Sequence, residues 1–112
     1  MKFTKEFEKM LEVWGEDAQI MISIEEMSEL TKELCKLMRL RARYAGDYDA
    51  KEISKKFDDT RKNIQEEIAD VLNCIEPLAV MFGHDEVERI REEKVRKAMK
   101  KIETAEAEQK KK

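Results

Sequence analysis

Apolar residues recur along this chain at intervals of three and four, the period of α-helices that turn one face inward. From about Thr4 to Val13 they are Phe3, Phe7, Met10 and Leu11, with Thr4 placed to cap the turn. Trp14 and Gly15 interrupt the pattern, and Glu16 and Asp17 follow, where the dipole of a new helix favours acid. A second helix is expected from about Asp17 to Arg43. Ile20, Ile24, Met27, Leu34 and Met38, joined by Leu30 and Leu37, trace one broad apolar face. Arg39, Arg41 and Arg43 suit its C-terminus.

The stretch YAGDYD then carries turn chemistry through Gly46 and two aspartates. Residues 50 to 63 are weakly amphipathic, with Ile53 and Phe57 as their large apolar anchors, and read as a separate short helix or an arm. From Ile64 the pattern strengthens through Ile68, Val71, Leu72, Ile75, Leu78, Ala79 and Phe82. Pro77 lies inside that run and should kink it or end its regular part. Gly83 closes it, and Asp85 is placed to cap a last helix to about Glu103. That helix buries only a narrow face: Val87, Ile90, Val95, Met99 and Ile102. The pattern predicts an all-α protein of four to five helices, a single domain over residues 1–104 and a frayed charged tail at 105–112.

Composition sharpens this picture. Only three glycines and one proline punctuate 112 residues, which favours long helices. Charged residues reach 44%, against about a quarter in an average domain. Apolar residues still make up 41%, enough for one modest core. The net charge of -3 is interspersed, so it offers no argument for a nucleic-acid or membrane-surface partner. No apolar run approaches the roughly 20 residues that span a bilayer, and the charged start MKFTKEFEKM lacks the apolar block of a signal peptide. A cytoplasmic location is the default. Cys35 and Cys74, each within an apolar helical pattern, read as buried free thiols.

The acids are the candidate chemistry. IEEMSEL holds Glu25, Glu26 and Glu29, and IQEEIADVL holds Glu66, Glu67 and Asp70. Residues three apart share a helix face, so Glu26 stands beside Glu29, and Glu67 beside Asp70. Two such helices packed antiparallel bring four carboxylates together, and their repulsion requires lysines and arginines, shared protons or a divalent cation. Oxygen ligands without histidine or thiolate favour Mg²⁺ or Mn²⁺. Asp70 is the most informative, because aspartate competes for the backbone in a helix interior and here sits among Ile68, Ala69, Val71 and Leu72. In a chain this charged, each pair alone is also what solvated faces and ion pairs produce.

EEMSEL followed by EEIADVL resembles the paired EExxE and ExxD motifs of the MazG-like nucleotide pyrophosphohydrolases, within the all-α NTP pyrophosphatase superfamily. WGEDAQIMIS, with Gln19, is similar to the family's lead-in, and EEKVRKAMKKIE to its basic final helix. The resemblance runs from about Val13 to Ile102; the segment from Leu30 to Glu66 is longer than in compact members. It implies a MazG-like helical bundle completed as a homodimer or homotetramer. It implies hydrolysis of a nucleoside triphosphate to the monophosphate and pyrophosphate with Mg²⁺, for which Mn²⁺ can substitute.

Carried over by position, Glu26, Glu29, Glu67 and Asp70 would be metal ligands. Glu25 and Glu66 would bind a second ion, orient a water or accept its proton. Asn73, one turn beyond Asp70, would hold sugar or phosphate. Lys94, Arg91 and Lys97, with Lys32 and Arg39, would meet phosphate charge. Trp14 would stack on a nucleobase or pack in a core or subunit interface, and Gln19 belongs to the substrate lead-in. Tyr44 and Tyr48 would line a pocket, while His84 reads as a capping or exposed residue. The rival from another class is a non-catalytic helical interaction module whose acids make only ion pairs. An iron or manganese carboxylate bundle is disfavoured, because the ExxH pairs such bundles use are absent.

Overall fold

The computed structural model describes residues 2–44 and 50–111. Four helices account for nearly all of them: α1 (Thr4–Trp14), α2 (Glu16–Arg43), α3 (Ala50–Phe82) and α4 (His84–Lys111). The described residues contain no strand, and no helix among them is long and apolar enough to cross a membrane. The chain divides into two compact units, Met1–Leu78 and Ala79–Lys112. The turn expected in YAGDYD falls at 45–49, outside the described residues.

In the first unit, α1 opens one residue earlier than its sequence suggests. Phe3, not Thr4, holds the cap position at φ 67°, because the Phe7 N–H bonds to the Phe3 carbonyl at 3.0 Å. The Phe3 ring meets buried Phe7 edge-on, with centroids 6.1 Å apart. Gly15 joins α1 to α2. Its N–H closes the first helix on the Leu11 carbonyl at 2.9 Å, and its own carbonyl accepts the Gln19 N–H at 3.2 Å. Its backbone stands at φ 87° and ψ 165°, a region that a Cβ essentially forbids. A Cβ there would meet no neighbour within 4 Å, so Gly15→Ala isolates the backbone strain. It should lower unfolding stability by about 1–3 kcal/mol, read from the midpoint of urea denaturation. An unchanged midpoint would show that the junction relaxes freely.

Helices α2 and α3 form an antiparallel hairpin. Towards one end, Gln19 Nε2 donates to the Cys74 carbonyl at 3.3 Å; at the other, Lys56 Nζ donates to the Tyr44 hydroxyl at 3.1 Å. The seam between them is polar near Gln19. The Gln19 amide also donates to Ser23 Oγ at 3.3 Å, and the buried Ser23 hydroxyl donates back to the Gln19 carbonyl at 2.7 Å. Burial pushes the Cys74 thiol up, while the Ser23 hydroxyl beside it acts in the opposite sense.

Several expectations are corrected here. Residues 50 to 63 are neither a separate helix nor an arm: they are the first turns of α3, anchored by buried Ile53 and Thr60. The helix continues past Pro77 to Phe82, so the proline does not end it. The ring is fully buried, and that packing offsets the lost backbone bond. Cys35 is exposed rather than buried. The broad apolar face of α2 is only partly covered: Ile20, Leu30 and Leu37 are half-buried, whereas Ile24, Met27, Leu34 and Met38 are exposed. One neighbouring helix covers a single stripe, and this face is wider than that.

In the second unit, the Val87 N–H bonds to the Gly83 carbonyl at 3.1 Å. The helix therefore opens at Gly83, and Asp85 lies in its first turn rather than at the cap. Half-exposed His84 begins it, with Nδ1 3.6 Å from an Asp85 oxygen. Arg89 pairs with Glu86 and Glu93, Arg91 with Glu88 and Arg96 with Glu92, each at helical spacing. From residue 105 the chain continues α4 to Lys111. Alanine, glutamate, glutamine and lysine are strong helix formers, and Lys110 and Lys111 complement the dipole at its end.

Candidate metal centre

The helical register of α2 lays Glu26, Glu29 and Glu33 along one side, and that of α3 does the same for Glu67 and Asp70. The hairpin brings the two sets face to face. One carboxylate oxygen from each of Glu26, Glu67 and Asp70 lies within 4.8 Å of the other two. Glu26 and Glu67 are half-buried and Asp70 is exposed, which leaves one side of the group open to solvent.

Glu67 carries the strain of this arrangement. Its carboxyl is held above the usual carboxylate range, first by loss of solvent and then by the charges of Asp70, Glu26, Glu29 and Glu33. Its Oε2, and that of Glu33, is sealed from solvent without a hydrogen-bond partner among the described residues. An unpaired polar oxygen in that position costs free energy unless something positive meets it. The donors fit a hard divalent cation. Oxygens on one Mg²⁺ lie no more than about 4.2 Å apart, so modest side-chain rotations would close the three on an ion.

The other expected site residues are placed differently. Glu29 is not in the three-oxygen group; it lies near enough to Glu67 to act on its charge and pairs with Lys32 at 3.9 Å. Glu25 and Glu66 are exposed and outside the group. Asn73 is exposed on α3, one turn from Asp70. Gln19 is buried as the cross-link between α2 and α3, with its amide nitrogen donating to Ser23 Oγ and to the Cys74 carbonyl. Trp14 ends α1 with 63% of its surface exposed, so it is not a core residue of this chain. Arg91, Lys94 and Lys97 are exposed on α4 in the second unit, where Arg91 is tied to Glu88 at 2.7 Å. Arg39 is exposed on α2.

Glu33 is the residue that sequence reasoning passed over. It stands seven residues beyond Glu26 and four beyond Glu29, on the same face. That spacing was the available signal, but Glu33 falls outside the EExxE motif. No protein-family model, no characterised protein and no solved structure matches this chain.

Proposed function

We propose that this protein is a Mg²⁺-dependent nucleoside triphosphate pyrophosphohydrolase of the MazG-like kind, releasing the monophosphate and pyrophosphate. The observation that carries this reading is the meeting of Glu26, Glu67 and Asp70 across the hairpin, with a Glu67 oxygen left unpartnered. Those three would hold the cation, with Glu29 and Glu33 adding charge beside them. Mn²⁺ meets the same oxygen donors. When bound, such an ion polarises a phosphoryl oxygen and lowers the pKa of coordinated water.

The rest falls to the chain's own side chains. Glu25 or Glu66, outside the ligand group, would accept the proton of the attacking water. Lys32, which pairs with Glu29 on α2, would meet phosphate charge. Asn73 is within one turn of Asp70 and offers both a donor and an acceptor to sugar or phosphate.

We assign a homodimer or homotetramer as the working form. Ile24, Met27, Leu34 and Met38 on α2, and Ile68, Leu72 and Ile75 on α3, recur at helical spacing and are exposed in the single chain. Exposed apolar stripes of this extent favour association. The reading from another class, a non-catalytic interaction module, draws on the exposed Val95, Met99 and Ile102 of α4.

The test is turnover of a panel of canonical and modified (d)NTPs with Mg²⁺, separating pyrophosphate from orthophosphate. Monophosphate plus pyrophosphate, abolished by EDTA, is the expected result. A folded protein that turns over nothing with Mg²⁺ or Mn²⁺ would favour the interaction module.

A further inference from the structure

Along the same hairpin, beyond the acids, α2 and α3 border a cavity of about 370 Å³ that is open to solvent on one side. Leu37 and Phe57 supply apolar wall, and Arg41, Arg61, Asp58 and Gln65 supply the polar groups. Its size is at the lower end of small-molecule sites, and apolar walls with a few convergent polar groups are what such sites use. Arg41 and Arg61 are exposed, and neither is ion-paired among the described residues. Two guanidinium groups therefore line the same cavity as the Phe57 ring.

Position relates this cavity to the acids. Leu37 is one turn past Glu33 on α2, and Arg61 lies six residues before Glu67 on α3, about 9 Å along the helix axis. That is about the reach from a nucleotide's α-phosphate to its base. We propose that this cavity is the nucleobase pocket of the enzyme, with Arg41 or Arg61 stacking on the base and Gln65 reading its edge. The inference rests on the pyrophosphohydrolase reading and extends it to the substrate's recognition.

The lining favours a base over the phosphate chain. Leu37 and Phe57 offer a polyphosphate nothing, and Asp58 repels it, whereas a base is planar, largely apolar on its faces and polar at its edge. Arginine stacks on such faces. The amide of Gln65 donates and accepts, as a base edge requires. Asp58 accepts from an exocyclic amine, so bases carrying one are the better substrates.

Arg61→Met and Arg41→Met keep much of the side-chain stem while removing the guanidinium from exposed positions. Three probes are measured on each with Mg²⁺ present: a non-hydrolysable dNTP analogue, inorganic tripolyphosphate, and Mg²⁺ alone. At least one variant should bind the nucleotide analogue about tenfold more weakly, with tripolyphosphate and Mg²⁺ affinities unchanged and KM raised more than kcat is lowered. Equal losses for nucleotide and tripolyphosphate would overturn the assignment, since the arginines would then hold phosphate. Unchanged nucleotide affinity in both variants, when the wild-type chain binds it, would place the base elsewhere. If the wild-type chain binds Mg²⁺ but no nucleotide, the pyrophosphohydrolase reading itself fails and the pocket falls with it.

Discussion

Glu67→Gln should raise the melting temperature of the cation-free protein by a few degrees and abolish the stabilisation that Mg²⁺ gives the wild-type chain. Both effects follow from one crowded carboxylate. Without a cation, Glu67 shares its space with Asp70, Glu26, Glu29 and Glu33, and an oxygen is cut off from solvent. Glutamine keeps the shape, removes the charge and offers an N–H₂ donor to the surrounding oxygens. With Mg²⁺ the order reverses. An ion at about a hundred times its Kd adds about 2.7 kcal/mol to the folded state, and the glutamine variant forgoes this.

The pH dependence has a definite sign. Glu67's folded pKa is raised, so its contribution to stability is fully present below the ordinary carboxylate range. That contribution is lost as pH rises through the raised value. The melting temperatures of the cation-free wild type and variant should therefore converge on acidification and separate towards neutral pH. Thermal melts across pH, with and without Mg²⁺, read both effects. A variant less stable than wild type at neutral pH without cation would show that Glu67 is held by partners rather than crowded.

Ligand and base should separate when their variants are compared. Asp70→Asn is expected to lose Mg²⁺ affinity and turnover together, by more than about 100-fold, since even groups that merely orient metal ligands are worth about 10–100-fold. Glu25→Gln and Glu66→Gln should both keep Mg²⁺ binding, because neither residue belongs to the three-oxygen group. The one that serves as base should lose turnover by about 10²–10⁴-fold. Isothermal titration with Mg²⁺, paired with single-turnover kinetics, distinguishes the classes. Full turnover in both glutamine variants would remove them from the chemistry, and undiminished Mg²⁺ binding in Asp70→Asn would remove the proposed centre.

Much of the architecture was legible in the residue pattern, because a 3.6-residue period survives wherever a helix has one covered side. The span of α2, the break at Gly15 and the restart beyond Gly83 all follow from local chemistry. The weak stretch before Ile64 did not reveal its place in α3. Ile53 and Thr60 become buried only through tertiary packing, and no local rule supplies the neighbours that cover them. The same is true of Pro77, whose helical cost is local but whose offsetting burial is not.

The candidate centre divides in the same way. Spacing alone determined that Glu26 and Glu29, and Glu67 and Asp70, share helix faces, because side-chain direction on a helix is set by the backbone. Only the tertiary structure decided which carboxylates meet. It selected Glu26, Glu67 and Asp70 for close approach, left Glu29 outside that group, and brought in Glu33 from beyond the motif. It also turned part of α2's apolar face outward while placing Gln19 and Ser23 in the seam. Periodicity reports that a helix has a covered side. The rotation of one helix against another depends on how two whole surfaces pack, and neither surface carries that information alone.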